Sequence, residues 1–161
     1  MIDSYLRSSS DLDDHAVHLL FSANRWELAS RIESLVAGGT TVILDRYVYS
    51  GIVFTAAKGL DVEYCRAPEV GLPRPDKVVF LDLDLSEASA RGGWGKERYE
   101  VEEMQLKVAW LFRDFGANER DKGDWRVVHA HKSVEEVRED VWEVAKEALA
   151  FAGSNDLRRV L

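Results

Sequence analysis

The sequence has one cysteine, three prolines and no apolar stretch long enough to cross a bilayer. A lone cysteine, Cys65, cannot form an internal disulfide, so a reducing compartment suits the chain. The first residues, Met1 to Asp14, are too polar for a signal peptide. We therefore expect a soluble intracellular protein, in the cytoplasm or the nucleus, with no membrane partner.

Positive charge is also in short supply. Lysine and arginine total 21 against 29 aspartates and glutamates, which gives a formal net charge of -8. This balance argues against a general nucleic-acid binder, although a few local arginines can still hold a small phosphorylated ligand. The length of 161 residues and the 46% hydrophobic content predict one globular domain with a sizeable core.

Strand and helix patterns alternate along the chain. Apolar runs at 41–44, 77–83 and 126–129 predict buried strands. Helices are predicted over residues 12–23, 28–36, 50–58, 61–66, 86–91, 101–115 and 134–149. Ser133 is expected to cap the last helix, and the polar cluster 8–11 the first. This alternation predicts an α/β protein with a parallel sheet.

The first predicted helix carries two different faces. Ala16, Leu19, Leu20 and Ala23 recur at helical spacing and predict the face that packs inward. Phe21 and Arg25 lie four residues apart and share another face. An aromatic ring beside a guanidinium suits a planar ligand with carbonyl acceptors, and stacking one base on such a ring contributes roughly 1–3 kcal/mol. On these residues alone, an ordinary half-exposed helix pair is the more common explanation.

The apolar run Thr41–Leu44 ends in Asp45 and Arg46. In open α/β sheets, ligands gather at the carboxyl ends of the strands, so this pair is placed to act on a charged small molecule. A second interpretation is a strand end that turns into solvent, where the two charges pair with each other. The stretch by itself leaves both open.

Residues 91–100 combine three glycines with Arg91, Lys96 and Arg98. Mobile glycines and phosphate-binding donors are typical of a lid over a nucleotide, although a solvated basic turn has a similar composition. Lys96 is followed by Glu97, so this is not a Walker A loop, which needs serine or threonine there. That loop, Gly-x-x-x-x-Gly-Lys-Ser/Thr, occurs nowhere in the sequence.

Metal and nucleophile patterns are weak. The pairs His15/His18 and His129/His131 have no cysteine or well-spaced carboxylate set beside them, so we expect no histidine-held metal. Cys65 has no activating base nearby in the sequence and is expected to be inert.

Taken together, four stretches resemble thymidylate kinase, particularly its eukaryotic form. They are residues 19–27, residues 45–47 with Ser50, Gly51 and Phe54, residues 70–76 and residues 97–100, in order over nearly the whole chain. The resemblance implies a P-loop nucleoside-monophosphate-kinase-like parallel sheet with flanking helices. It also implies that the family's Walker A strand and loop lie before the first residue here, so that residues 1–161 form one incomplete domain. In the family's sheet that strand lies between the strands at 41–44 and 77–83.

The implied activity is transfer of the γ-phosphoryl group of ATP to dTMP, with Mg²⁺, giving dTDP and ADP in a homodimer. The alternative is a non-catalytic nucleotide-binding or interaction domain derived from such a kinase. By resemblance, Phe21 stacks on thymine, Arg25 bonds its exocyclic oxygen, Arg46 holds the monophosphate, and Asp45 lies near the metal and the transferred group. The other implied site residues are Ser50, Gly51 and Phe54 in the nucleoside pocket, Tyr99 and Gln105 at the deoxyribose, and Arg91, Lys96, Arg98 and His131 on the ATP side.

Overall fold

The computed structural model describes residues 2–7, 11–91, 102–117 and 123–161. A 3-10 turn, Ala67–Glu69, directly follows the helix Val62–Arg66. The helices and strands of these ranges, in chain order, are α1 (Ile2–Leu6), α2 (Asp14–Ala37), α3 (Val48–Ala56), α4 (Val62–Arg66), β1 (Val78–Asp82), α5 (Leu85–Ala90), α6 (Glu102–Ala117), β2 (Trp125–His129) and α7 (Val134–Ala152).

The sheet consists of β1 and β2, which pair in parallel from Val78 opposite Trp125 to Asp82 opposite His129. Backbone hydrogen bonds at both ends, from Val78 N to Asp124 O and from Ala130 N to Asp82 O, extend the ladder at 2.8 Å each. Two of the three predicted strands are therefore confirmed. With helices packed around a parallel sheet, the predicted α/β class is confirmed as well.

The predicted strand at 41–44 is wrong. This segment has no regular secondary structure, and the side chain of Ile43 is 90% exposed. A strand needs a neighbouring backbone to satisfy its N–H and C=O groups. No described segment pairs with residues 41–44, and within the same ranges β1 pairs with β2 alone. Apolar sequence is not enough to form a strand when nothing lies beside it.

Helix α2 differs from the prediction in three ways. It is one continuous helix rather than two, and Asp13, not the cluster 8–11, caps it by accepting from the backbone N–H groups of His15 and Ala16. The predicted inward stripe is wrong, because Ala16, Leu19 and Ala23 are exposed. The face that is buried instead consists of Val17, His18, Ser22, Ala29 and Ile32.

Hydrogen bonds to polar groups on α3 and α4 explain why this face of α2 is the buried one. His18 forms 3.0 Å hydrogen bonds with the Thr55 hydroxyl and with the carbonyl oxygen of Cys65. Because a carbonyl only accepts, Nε2 carries the proton and Nδ1 accepts from the hydroxyl. Burial lowers the pKa of His18 below its usual 6.5, so the ring is neutral in the core. A hydrophobicity pattern cannot show such a contact, which joins residues far apart in the chain.

The core lies between α3, α6 and the sheet. Val48, Ile52 and Val53 of α3 are fully buried, and they cluster with Phe115 of α6 and Trp125 of β2. The thiol of Cys65 is buried in the same cluster, and burial raises its pKa to about 11. It therefore stays protonated at neutral pH, as an inert core residue does.

The end of the chain holds the connector between α4 and β1. Val160 is buried, donates to Leu72 O at 2.9 Å and accepts from Gly71 N at 3.0 Å. Arg158 donates to the carboxylate of Asp124 at 2.8 Å. Helix α7, which precedes this tail, begins with the predicted Ser133 cap, completed by Glu136 in a capping box. In the part of the chain described, no helix combines the length and apolar character needed to cross a membrane.

Candidate functional site

Arg25 lies on α2 with its guanidinium held by one carboxylate. Its Nε donates to Oε2 of Glu69 at 2.7 Å, and its Nη2 donates to Oε1 of the same residue. The Glu69 side chain is fully buried, and that of Arg25 is 11% exposed. Two parallel hydrogen bonds between a guanidinium and a carboxylate fix the plane and direction of the arginine. Phe21, one turn earlier on α2, is half-buried.

Gly51 on α3 lies directly against the Arg25 guanidinium. A Cβ atom at this glycine would lie 2.6 Å from Nη2 of Arg25 and 2.9 Å from Cζ. Only a residue without a side chain allows so close an approach. The structure therefore brings together Arg25 and Gly51, two of the residues predicted to line the pocket, and the half-buried Ser50 is the neighbour of Gly51 on α3.

Arg46 lies in the turn before α3 with an unusual backbone. Its φ of 61° is the one positive value at a non-glycine residue in the described ranges. A left-handed arginine costs of order 1 kcal/mol, and such strain is concentrated at functional sites. Its guanidinium lies over the ring of Phe54, 5.4 Å from the centroid. Arg46 is exposed and forms no ion pair within the described residues, so its charge is open to an anion.

Asp45 is also exposed and has no hydrogen-bond or ion-pair partner among the described residues. The second interpretation of the sequence, in which Asp45 and Arg46 pair with each other, therefore does not hold. No group of three or more His, Cys, Asp or Glu side chains converges in the described ranges. Asp45 thus offers one free carboxylate, which suits a hard cation that takes its other ligands from phosphates and water.

An aromatic wall connects α3 to α6 and the sheet. Phe54 meets Phe112 edge to face at 6.4 Å, and Phe112 stacks on Phe80 of β1 at 5.1 Å between centroids. Gln105 is half-buried on the same helix as Phe112. This wall holds the Phe54 ring, and therefore the surface on which Arg46 rests. Tyr99, the other residue expected near the sugar, lies outside the described residues.

A second cluster forms at the carboxyl end of β2. Arg91, just after α5, donates from Nη2 to the carbonyl oxygen of Ala130 at 2.6 Å. His131 follows in the same turn, is exposed, and has its ring 5.9 Å from that of His129. Two residues expected on the ATP side therefore lie together. Lys96 and Arg98 lie outside the described residues.

The sequence interpretation missed Glu69. It lies 44 positions from Arg25, in a turn whose sequence shows no catalytic or binding pattern. The signal that could have found it is the need to neutralise a buried arginine. Tyr47 was missed as a buried polar group. Its hydroxyl has no hydrogen-bond partner in the described ranges, and burial raises its pKa to about 12, with the Glu69 carboxylate acting in the same direction.

Comparison with solved structures identifies the class of protein. The chain superposes on the thymidylate kinase of Candida albicans with a TM-score of 0.89 and 36% sequence identity. The match covers 99% of this chain and 79% of that one. The fold is therefore that of a nucleotide kinase of the α/β class, as the sequence predicted.

Sequence comparison identifies the family. The family model described as thymidylate kinase matches residues 1–141. The chain is 49% identical over 144 residues to the thymidylate kinase of Arabidopsis thaliana, with 89% of this chain and 53% of that protein covered. It is 41% identical to the Homo sapiens thymidylate kinase, with 98% and 74% covered. The chain belongs to the thymidylate kinase family, and it spans about half the length of the Arabidopsis relative and three-quarters of the human one.

Proposed function

We propose that this chain carries the acceptor side of a kinase that transfers the γ-phosphoryl group of ATP to dTMP. The observation that carries the proposal is the guanidinium of Arg25, held in one orientation by Glu69 and Gly51 beside Phe21 on α2. An arginine offers only donors, so it donates a hydrogen bond to a carbonyl oxygen of a thymine ring and leaves the amino group of a cytosine unsatisfied. Phe21 supplies the surface on which the base stacks.

Arg46 then holds the monophosphate. Its exposed charge lies next to Phe54, so a nucleotide whose base is at Arg25 and Gly51 extends its phosphate toward the start of α3. Ser50 and Phe54 line the path between the two, and Gln105 lies on the sugar side. The resemblance gives the same role to Tyr99, which lies outside the described residues. Charge-assisted hydrogen bonds from arginine to phosphate are among the strongest that a binding site can make.

The donor side takes ATP at the turn after β2, where Arg91 supplies positive charge and His131 lies by the adenine. The resemblance gives the same role as Arg91 to Lys96 and Arg98, which lie outside the described residues. Asp45 would be the nearby carboxylate for a Mg²⁺ ion bound with ATP, which would supply charge neutralisation to the transferred group. An oxygen of the dTMP phosphate attacks the γ-phosphorus and ADP leaves. No covalent intermediate forms, because positioning and charge neutralisation carry the reaction.

A second candidate function is favoured by one observation: the 161 residues contain no Walker A loop. That loop and its lysine cradle the ATP phosphates in this class of enzyme. A chain without it can keep the monophosphate pocket and act as a nucleotide-binding domain. Both candidate functions include binding of dTMP, but only the first includes phosphoryl transfer.

The test measures both properties of residues 1–161. A thermal-shift titration with dTMP should raise the melting temperature, because a ligand that binds the folded state stabilises it. A coupled ADP-release assay should show negligible turnover without a Walker A segment. Normal turnover would contradict the need for that loop, and dTMP without any effect on melting would contradict both candidate functions.

We also propose that the chain pairs with a second copy through α2. Leu19 is 48% exposed and lies with exposed Ala16 and Ala23 on the face that the sequence predicted to be buried. An apolar helix face left in solvent is typical of an interface.

A further inference from the structure

Glu69 is a completely buried charge whose carboxylate is occupied by Arg25. A buried carboxylate is costly unless it is paired and hydrogen-bonded, so its position requires a reason. Such a pair adds little to stability compared with apolar residues of similar size. What it does supply is a fixed direction for the guanidinium.

The turn that carries Glu69 is itself bound to α2 on both sides of Arg25. The carbonyl oxygen of Pro68 accepts from the Ser22 hydroxyl at 3.0 Å and from Nε1 of Trp26 at 2.8 Å. These two donors flank Arg25 on the helix. The carboxylate therefore meets the guanidinium from an anchored backbone, and because Gly51 also lies directly against the guanidinium, Arg25 has little room to turn.

Pairing also changes what Arg25 attracts. The carboxylate cancels most of its charge, while Nη1 has no hydrogen-bond partner among the described residues. A guanidinium in this state still donates hydrogen bonds but has little pull on an anion. Arg46, by contrast, has no carboxylate partner in those ranges. The two arginines therefore differ in what they bind: Arg25 suits a neutral acceptor and Arg46 suits a phosphate.

We propose that Glu69 is a positioning residue that acts through Arg25 and determines both base preference and the direction in which the nucleotide enters. By neutralising Arg25, it keeps the phosphate from binding at the base end of the pocket. By fixing the guanidinium plane, it aims the remaining N–H groups at a base carbonyl. This inference rests on the proposed function, in which the pocket takes a pyrimidine nucleoside monophosphate.

The test compares Glu69→Gln with the unaltered chain by calorimetry, using dTMP, dCMP and inorganic phosphate. We expect dTMP affinity to fall about tenfold, as loss of one charge-assisted hydrogen bond would produce, and the preference for dTMP over dCMP to narrow. Phosphate affinity should rise, because the charge of Arg25 is no longer neutralised by a carboxylate. Opposite changes for the two ligands are not expected from a purely structural role, which would weaken both.

The matched control is Glu33→Gln, which removes the charge from the ion pair that Glu33, further along α2, forms with Arg159 and should leave all three affinities unchanged. The double variant Arg25→Met with Glu69→Gln leaves no unpaired buried charge, so it should fold, lose the base preference and gain no phosphate affinity. Glu69→Asp keeps the charge and should keep phosphate affinity low.

The outcomes separate the two proposals. An unchanged dTMP preference and unchanged phosphate affinity in Glu69→Gln would overturn the role of Glu69 while leaving the proposed function intact. If the unaltered chain does not bind dTMP, the proposed function fails, and the phosphate measurements still decide whether Glu69 neutralises Arg25. If Glu69→Gln does not fold, a double variant that keeps the dTMP preference, or a Glu69→Asp variant that gains phosphate affinity, would overturn the inference.

Discussion

Gly51→Ala is the substitution whose effect follows most directly from the geometry. The new Cβ would lie 2.6 Å from Nη2 of Arg25, whereas ordinary contacts begin near 3.4 Å, so the guanidinium must move by about 0.8 Å. The carboxylate of Glu69, which is hydrogen-bonded to the guanidinium, restricts this movement. Because Nε and Nη2 are both hydrogen-bonded to that carboxylate, a shift of this size would break at least one of the two hydrogen bonds.

The expected change in stability is a difference of two terms. Alanine within α3 gains about 1 kcal/mol of helix propensity over glycine. Loss of a hydrogen bond between charged groups costs about 1.5–3 kcal/mol. The free energy of unfolding should therefore fall by roughly 0.5–2 kcal/mol, which lowers the melting temperature by about 1–8 °C for a chain of this size. Affinity for dTMP should fall about tenfold or more, because Arg25 no longer meets the base in its set direction.

The assay is calorimetric titration with dTMP beside thermal unfolding of the same samples. Gly123→Ala is the matched control, since a Cβ there meets no atom within 4 Å, and it should change neither quantity by much. A Gly51→Ala variant that binds dTMP like the unaltered chain would refute the reasoning. So would a gain of stability by the full helix propensity term, because it would mean that Arg25 moves without cost.

Three further predictions concern other parts of the fold. Arg46→Gly relieves the positive φ, so the free energy of unfolding should stay within about 1 kcal/mol of the original while dTMP affinity falls at least tenfold; equal affinity would exclude Arg46 from the phosphate site. The lowered pKa of His18 means that the unfolded chain binds the proton more readily, so stability should drop as pH falls below about 6.5. In His18→Gln, urea unfolding should show a smaller loss of stability at low pH than in the unaltered chain. An equal loss would mean that groups other than His18 cause the pH dependence. Leu19→Asp should yield monomers in sedimentation experiments, whereas the control Leu106→Asp, also at an exposed leucine, should leave the dimer intact. If Leu19→Asp remains dimeric, the interface does not include this face of α2.

The sequence predicted those parts of the fold whose signals are local. Ser133 was predicted to cap the last helix, and the structure confirms this cap and adds Glu136 to it in a capping box. The strands around Phe80 and Val128 also show in their apolar runs. The run at 41–44 looks equally apolar, yet it forms no strand, because strand formation depends on a partner that no local pattern reveals.

The candidate site divides in the same way. Phe21 and Arg25 are neighbours by helix periodicity, so their shared face was predictable. Glu69 was not, since its contact with Arg25 spans 44 positions and depends on how the turn after α4 docks on α2. The inward face of α2 was wrongly predicted for a related reason. Hydrophobicity predicted that Leu19 faces the core, whereas the structure buries His18. A sequence pattern does not show the hydrogen bonds that His18 forms with α3 and α4.

The central claim is that one pocket reads the base with Arg25 and the phosphate with Arg46. A crystal structure of residues 1–161 with dTMP tests it most directly. The account predicts thymine stacked on the Phe21 ring, its exocyclic oxygen within hydrogen-bond distance of the Arg25 guanidinium, Glu69 still bonded to Nε, and the phosphate at Arg46. A nucleotide bound with its phosphate at Arg25, or with its base at the Arg91 and Ala130 cluster, would contradict it.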